Sequence, residues 1–423
     1  MKLAIVGGGS TYTPELIDGL AREKALLPMA EIWLLDPDAK RLEILAEFSR
    51  RLLSAHGAST RVFTTSALSE AIHQADFVIS QIRVGGQAAR QKDTELGLRY
   101  NLVGQETTGC GGFACALRHI PASVEIARAM EKHAPKATLI NFTNPAGIVT
   151  EALHRASPIK TIGICNVPWV MRRDIADYYK VPFESVELEY FGLNHLSWAT
   201  KIKIRDEDKT GDVLRHASDI HAERYRFPQE LIQSIEALPS PYLRYYYLTP
   251  DVIEELKQAQ KTRAQEVMEI EGELLCQYSN PKLVEKPPQL MKRGGIYYGE
   301  VAVSAMKAMV GKTQSRQIVN LPNGKVFDWL PKEAVIEFPW KISQSGFVPD
   351  KTPVVSPSMK ALMIEVKTYE ELTIEAALKG DRKAAYLALL VNPLVGSASK
   401  AKKVLDEILE INSAYLPQFK ATV

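Results

Sequence analysis

Short apolar runs alternating with amphipathic stretches, a glycine-rich turn closing the first run, and a change of pattern after about residue 180 predict an α/β chain. Alternation of that kind gives a Rossmann-like doubly wound parallel sheet with helices on both faces. A mixed α+β domain is expected to follow. The boundary is placed at residue 190, dividing the 423 residues into 1–190 and 191–423.

Residues 2–6 form the first apolar run and stop at Gly7-Gly8-Gly9-Ser10. Residues 14–27 read as a helix, with Leu16, Ile17, Leu20 and Leu27 near helical spacing. Pro14 falls in its first turn, where a missing N–H is tolerated. Residues 31–35 are a second strand closing on Asp36-Pro37, and 41–53 a helix with Leu42, Leu45, Phe48 and Leu52 on one face. Further strands are expected at 61–64, 76–82, 138–142 and 161–165, with helices at 122–133 and 148–155. In the second part, 184–191 and 196–204 look like neighbouring strands of a separate layer. Residues 239–248 are aromatic and proline-flanked, 252–275 read as one long helix, and 362–379 and 384–391 as two more. The segments 281–288 and 331–357 are proline-punctuated loops or short strands.

Composition narrows the function. Lys plus Arg number 52 and Asp plus Glu 50, a net charge of +2 that offers no concentrated positive surface for nucleic acid. No apolar run reaches the length of a membrane span. The first residues run into a strand-and-glycine pattern rather than an apolar leader, and four cysteines cannot make a disulfide framework. Both features point to a reducing cytoplasm.

Glycines at 7, 8 and 9 before Ser10 let a backbone turn sharply and approach a pyrophosphate at a helix N-terminus. The full G-x-G-x-x-G fingerprint would need a third glycine where this chain has Tyr12. Asp36 at a strand end suits a ribose diol and repels a 2′-phosphate, favouring NAD over NADP. A glycine turn without a ligand is the competing reading. Cys165 ends a strand at the carboxyl edge of the sheet, and His195 ends Phe191-Gly192-Leu193-Asn194-His195 in the second part. A thiolate and an imidazole from two domains could hold one metal in the cleft. Their separation matches no local metal motif, and by itself favours a buried cysteine and a hydrogen-bonded histidine. Asn144, in Asn141-Phe142-Thr143-Asn144-Pro145, suits a sugar hydroxyl or a plain Asn-Pro turn. Glu106 is the acid of a polar, glycine-flanked loop, which is otherwise a solvated loop. Tyr242 belongs to Pro241-Tyr242-Leu243-Arg244-Tyr245-Tyr246-Tyr247, where tyrosines ordinarily pack in a core. Arg83, Arg90 and Arg263 are candidate anion clamps, although most arginines are surface charges.

The ordered set Gly7-Gly8-Gly9-Ser10, Gln105-Glu106-Thr107-Thr108-Gly109, Asn141-Phe142-Thr143-Asn144-Pro145, Cys165-Asn166-Val167-Pro168, Gly192-Leu193-Asn194-His195 and Pro241-Tyr242-Leu243-Arg244-Tyr245-Tyr246 spans most of the chain. It resembles the family 4 glycoside hydrolases, and within them the branch acting on 6-phospho-β-glucosides. That NAD-dependent family stands outside the two-carboxylate scheme of most glycosidases. The resemblance implies NAD on Gly7, Gly8, Gly9, Ser10, Asp36 and Arg83, used without being consumed. It implies a divalent ion, usually manganese, on Cys165 and His195. Hydride leaves C3 of the glucoside, the 3-ketone acidifies the C2 proton, the aglycone is eliminated, water adds at C1 and hydride returns. Tyr242 matches the family's base and Glu106 the acid that makes it more basic. Arg90, Asn144, Asn166 and Arg263 match substrate-contacting positions.

Two features strain that reading. Cysteine with histidine looks like a softer site, for which zinc would be the first guess without the family. Relatives acting on α-linked substrates carry an acid after the metal cysteine, where this chain has Asn166. An amide cannot protonate a leaving group, so the β-linked branch fits and the leaving-group acid stays unassigned. Two other functions compete, the first of which would share the same front half. An NAD-dependent 2-hydroxy-acid dehydrogenase of the lactate or malate kind would need a His–Asp pair and an arginine for a carboxylate. A non-catalytic nucleotide sensor would not cluster polar residues at strand ends. A homodimer or homotetramer is expected.

Overall fold

The computed structural model describes residues 1–295 and 297–420. Lys2–Val6 (β1), Glu31–Leu35 (β2), Arg61–Thr65 (β3), Phe77–Ser80 (β4), Thr138–Asn141 (β5) and Thr161–Gly163 (β6) form a parallel sheet in the order β3-β2-β1-β4-β5-β6. β4 and β5 are buried at every position, which is why they read as unbroken apolar runs rather than alternation. The strand order reverses between β1 and β4, so a ligand crevice opens at their carboxyl ends.

The second part continues this sheet. It contributes Val186–Leu193 (β7), Leu196–Ile204 (β8), Glu207–Asp208 (β9), Leu238–Pro239 (β10), Ser315–Pro322 (β11), Val335–Ser343 (β12) and Gly346–Pro349 (β13). β11 pairs antiparallel with β6, β12 with β11, and β7 with β12, after which β8 and β10 complete the sheet. The strands read from sequence as a separate layer therefore lie in the same sheet as β1. One row of paired residues crosses it: Val6, Ser80, Asn141, Gly163, Asn320, Glu337, Gly192 and Ser197. Beyond Val6 its side chains are all polar and buried, and it marks the carboxyl edge of the parallel strands.

Three helices differ from their sequence reading. The first, Thr13–Arg22, stops short of residue 27; Leu27 still reaches the core, but from a turn. The helix expected at 122–133 spans Gly109–His133 and carries Pro121 inside it, the residue that masks its first half in the sequence. The stretch 252–275 is two helices, Thr249–Gln258 and Arg263–Tyr278. A capping box starts the second: Thr262 Oγ1 accepts from the Gln265 amide at 3.2 Å, and Gln265 Oε1 from the Thr262 amide at 2.8 Å. One apolar core runs through both halves, from Leu3 to Leu416. Among the described residues no helix is long and apolar enough to cross a membrane, and all four cysteines are free thiols.

Candidate active site

A cavity of about 910 Å³ opens where the strand order reverses. Its wall includes Gly7, Gly9, Ser10, Asp36, Arg83, Arg90, Glu106, Asn144, Asn166, His195, Tyr242 and Arg263. Gly8 and Cys165 lie just behind that wall. The glycine turn is dictated by three different neighbours. A Cβ on Gly7 would sit 2.8 Å from the Gln81 carbonyl oxygen, on Gly8 2.8 Å from Leu34 Cβ, and on Gly9 2.7 Å from the Asp36 carboxyl carbon. Gly7 also has φ +89°, which a side chain would strain. The Gly9 amide donates to Asp36 Oδ2 at 3.1 Å, and the Asp38 amide to Oδ1 at 3.0 Å, so Asp36 is held at the cavity edge. Burial still moves its pKa upward. Tyr12, in place of the third glycine, lays its ring edge-on to Tyr298 with centroids 6.1 Å apart. The cradle fits a dinucleotide: close backbone approach, a helix N-terminus and an acid placed for a ribose diol.

Cys165 follows β6, and His195 sits in the two-residue turn between β7 and β8. His195 has φ +66°, a left-handed conformation tolerated in such turns. Its Nε2 lies 3.5 Å from Cys165 Sγ, its Nδ1 is 2.9 Å from Thr107 Oγ1, and its ring stacks on Tyr242 at 3.7 Å and 4°. Thr107 therefore sets the ring orientation; its only sequence signal was its place beside Glu106. Burial drives His195 down to about 3, which keeps it neutral and free to ligate, and pushes the Cys165 thiol up. Asn144 keeps its Oδ1 buried with no hydrogen-bond partner among the described residues. No third His, Cys, Asp or Glu joins this pair among the described residues. A closed structural zinc site needs four protein ligands. Two ligands with an open, oxygen-lined side instead suit an ion that completes its sphere with substrate and water oxygens.

Glu106 comes from a loop tied by Gln105 Oε1, which accepts from the Thr108 amide at 2.9 Å and the Thr107 hydroxyl at 2.8 Å. The next helix backs onto this loop closely: a Cβ on Gly111 would meet the Gln105 carbonyl oxygen at 2.1 Å. Glu106 pairs with Arg83 and, at 2.9 Å, with Arg90. Burial opposes its charge, but the two guanidiniums prevail and hold it at about 2. A second carboxylate is shared in the same way. Glu271 pairs with Arg293 at 2.8 Å and Arg41 at 3.3 Å, and all three line the cavity. Each cluster carries two cations to one anion, so the cavity is poised for anionic ligands. Arg41, Glu271 and Arg293 come from distant segments and gave no local signal. Arg263 sits nearer solvent, bound to Glu266 at 2.8 Å and to the Lys292 carbonyl at 2.7 Å. Among the described residues the cavity's two histidines find no aspartate: His195 meets a thiol and a hydroxyl, and His119 accepts from the Val84 amide and donates to the Asn144 carbonyl.

Comparison with known proteins decides the family. The model of the family 4 glycosyl hydrolases matches residues 2–181, and that of the family's C-terminal domain matches 190–395. The chain belongs to glycosyl hydrolase family 4. This hydrolase is 36% identical to the probable 6-phospho-beta-glucosidase of Bacillus subtilis, over 99% of this chain and 98% of that protein. A solved structure of the Thermotoga maritima 6-phospho-beta glucosidase with manganese, NAD+ and glucose-6-phosphate superposes with a TM-score of 0.90. It is 35% identical and covers 98% of this chain and 99% of that one. A 6-phospho-alpha-glucosidase from gut microorganisms, with NAD and glucose-6-phosphate, gives 0.91 at 27% identity over 99% of both chains.

Proposed function

We propose that this family 4 hydrolase cleaves 6-phospho-β-glucosides, using NAD and a divalent metal ion, Mn2+ first among them. The observation that carries the reading is the meeting of Cys165, His195 and Tyr242 beside a dinucleotide cradle. The names of the B. subtilis and T. maritima relatives support the β-linked phosphorylated substrate, and the ligands of the T. maritima structure support both cofactors.

NAD would supply a reversible hydride acceptor for C3, and the metal ion, held by Cys165 and His195, a Lewis acid beside it. Oxidation of the C3 hydroxyl to a ketone acidifies the C2 proton. Tyr242 takes that proton, after which the C1–O bond breaks and the aglycone leaves, its oxygen taking up a proton from solvent. Water then adds its hydroxyl at C1 and releases the proton that offsets the one taken up by the aglycone oxygen, Tyr242 returns a proton to C2, and reduction at C3 restores the sugar, so the net change is hydrolysis. Burial raises the Tyr242 phenol far above its ordinary value, and the Glu106 charge raises it further while Arg90 opposes. Glu106 thus makes Tyr242 more basic through its field. Pinned at about 2, it is a poor acceptor for the proton itself. Asn144 and Asn166 face the cavity as neutral hydrogen-bonding groups for sugar hydroxyls, and Arg90 and Arg263 favour the 6-phosphate.

The test is turnover of a chromogenic 6-phospho-β-glucoside with catalytic NAD, Mn2+ and a reducing agent in deuterated water. Many turnovers per NAD with deuterium at C2 are expected. NADH accumulating one-for-one with product would instead support the 2-hydroxy-acid dehydrogenase, and NAD binding without turnover a nucleotide sensor.

A further inference from the structure

The polar row that crosses the sheet places a buried carboxylate directly behind the Cys165–His195 pair. Gly163, two residues before Cys165, pairs with Asn320; Asn320 pairs with Glu337; Glu337 pairs with Gly192, three residues before His195. Neither glycine has room for a side chain: a Cβ on Gly163 would meet Thr150 Oγ1 at 2.2 Å, and on Gly192 the Leu196 carbonyl oxygen at 2.2 Å. The two strands that deliver the proposed ligands are therefore bridged, at that level, by Asn320 and Glu337 alone.

Glu337 is 1% exposed and only accepts. Its Oε1 receives Asn194 Nδ2 at 2.8 Å and Asn320 Nδ2 at 3.4 Å; its Oε2 receives the Tyr190 hydroxyl at 2.9 Å and the Ser197 hydroxyl at 3.3 Å. Burial raises the Glu337 pKa above its ordinary value, and the four neutral donors converging on its two oxygens pull against that in favour of the carboxylate. No Lys, Arg or His pairs with it among the described residues. A buried charge without a cation is costly, and a nearby ion would compensate it. Asn194, whose amide holds Glu337, adjoins His195 in the two-residue turn between β7 and β8. The carboxylate thus holds, through one amide, the turn that carries a proposed ligand.

We propose that Glu337 is a positioning residue for the metal site: through Asn194 it fixes the turn that carries His195, and it supplies a compensating buried negative charge to the ion. This inference rests on Cys165 and His195 being the metal ligands. Partners of that kind typically change metal affinity by about 10- to 100-fold.

The test measures Mn2+ binding by the loss of the free-ion EPR signal, NAD binding by fluorescence, and the thiolate-to-metal charge-transfer band of the Co2+-loaded protein. Glu337→Gln keeps the shape and removes the charge. It is expected to weaken Mn2+ by at least about tenfold, to move the Co2+ band, and to leave NAD affinity within about twofold. Asn194→Ala breaks this link at the half-buried residue of the turn, and is expected to do the same if Glu337→Gln does not fold. Wild-type Mn2+ affinity and Co2+ band in the folded variants would overturn the proposal, provided Cys165→Ser loses Mn2+. If Cys165→Ser binds Mn2+ normally, the metal site itself is misplaced and the proposal falls with it.

Discussion

In the proposed mechanism Tyr242 faces two demands that pull against each other. As a base it must be strongly basic, which burial and the Glu106 charge provide; to act near neutral pH it must also lose its proton when substrate is bound. Arg90, and the proposed ion once bound, would reconcile them. Tyr242→Phe keeps the stack on His195 but has no proton acceptor. Turnover is expected to fall by about 10²- to 10⁴-fold, with NAD affinity nearly intact, in steady-state kinetics and a binding titration. Unchanged turnover would remove Tyr242 from the mechanism. Cys165 and His195 make a second prediction. Burial keeps the Cys165 thiol protonated at neutral pH, while His195, at about 3, is already neutral. Binding of Mn2+ should therefore release close to one proton, with affinity rising about tenfold per pH unit between about pH 5 and 8. Calorimetry in two buffers of different ionisation enthalpy reads the proton count; a count near two would contradict a neutral His195.

Arg118 joins the elements behind the cavity. From the helix Gly109–His133 it grips Asp93 of the helix Gly86–Arg99 with two bonds, at 3.0 and 2.6 Å. It also reaches Asn412 at 2.7 Å and the Val84 carbonyl at 3.3 Å, beside Arg83. Both charges are buried, so Asp93→Ala would strand a guanidinium among neutral acceptors. Its expected cost is about 3–5 kcal/mol by urea unfolding. The exposed Arg22, paired with Glu300 at 3.1 Å, is a control: Arg22→Ala should change stability by less than about 1 kcal/mol. Equal small effects would show that water reaches Arg118. Lys367 does similar work at the seam between the two parts, binding Glu151 at 2.7 Å and the Val335 carbonyl of β12 at 2.9 Å.

Titration of the metal-free chain as a whole follows from opposed groups. His119 and His195 are lowered by burial to about 3 from an ordinary 6.5. The unfolded state binds more protons there, so each removes stability as pH falls from about 6.5 towards 3. Glu15 and Glu370 are raised by burial to about 7 from 4.5. The folded state binds more protons between those values, so each adds stability as pH falls through that window. The two pairs offset one another down to about pH 4.5. Below that the histidine loss is unopposed, and Glu106, held at about 2, loses its stabilising charge as well. Thermal unfolding of the metal-free protein is expected to show a nearly flat Tm from about pH 6.5 to 5 and a steep fall below about 4.5. A steady decline beginning near 6.5 would mean that Glu15 and Glu370 titrate normally.

The first six strands, the glycine turn and Asp36 were legible in the sequence because each is set by its neighbours in the chain. A parallel strand buried on both faces must be a short apolar run, and a backbone turning over a packed strand must be glycine. The capping box at Thr262 was equally local, but the helical periodicity running across it hid the break. The ordered motifs suggested roles for the site residues and, through the family resemblance, the meeting of Cys165 with His195, whereas nothing local in the chain showed how that meeting is built. Cys165 meets His195 because β11 and β12, drawn from far along the chain, fill the space between β6 and β7. The clamping of Glu271 by Arg41 and Arg293, the turn of His195 by Thr107, and the carboxylate of Glu337 behind them arise the same way. Periodicity and turn chemistry act over a few residues, so the sequence by itself determined the elements; pairing between remote strands has no such signature, and only the tertiary structure decided which side chains share the cavity.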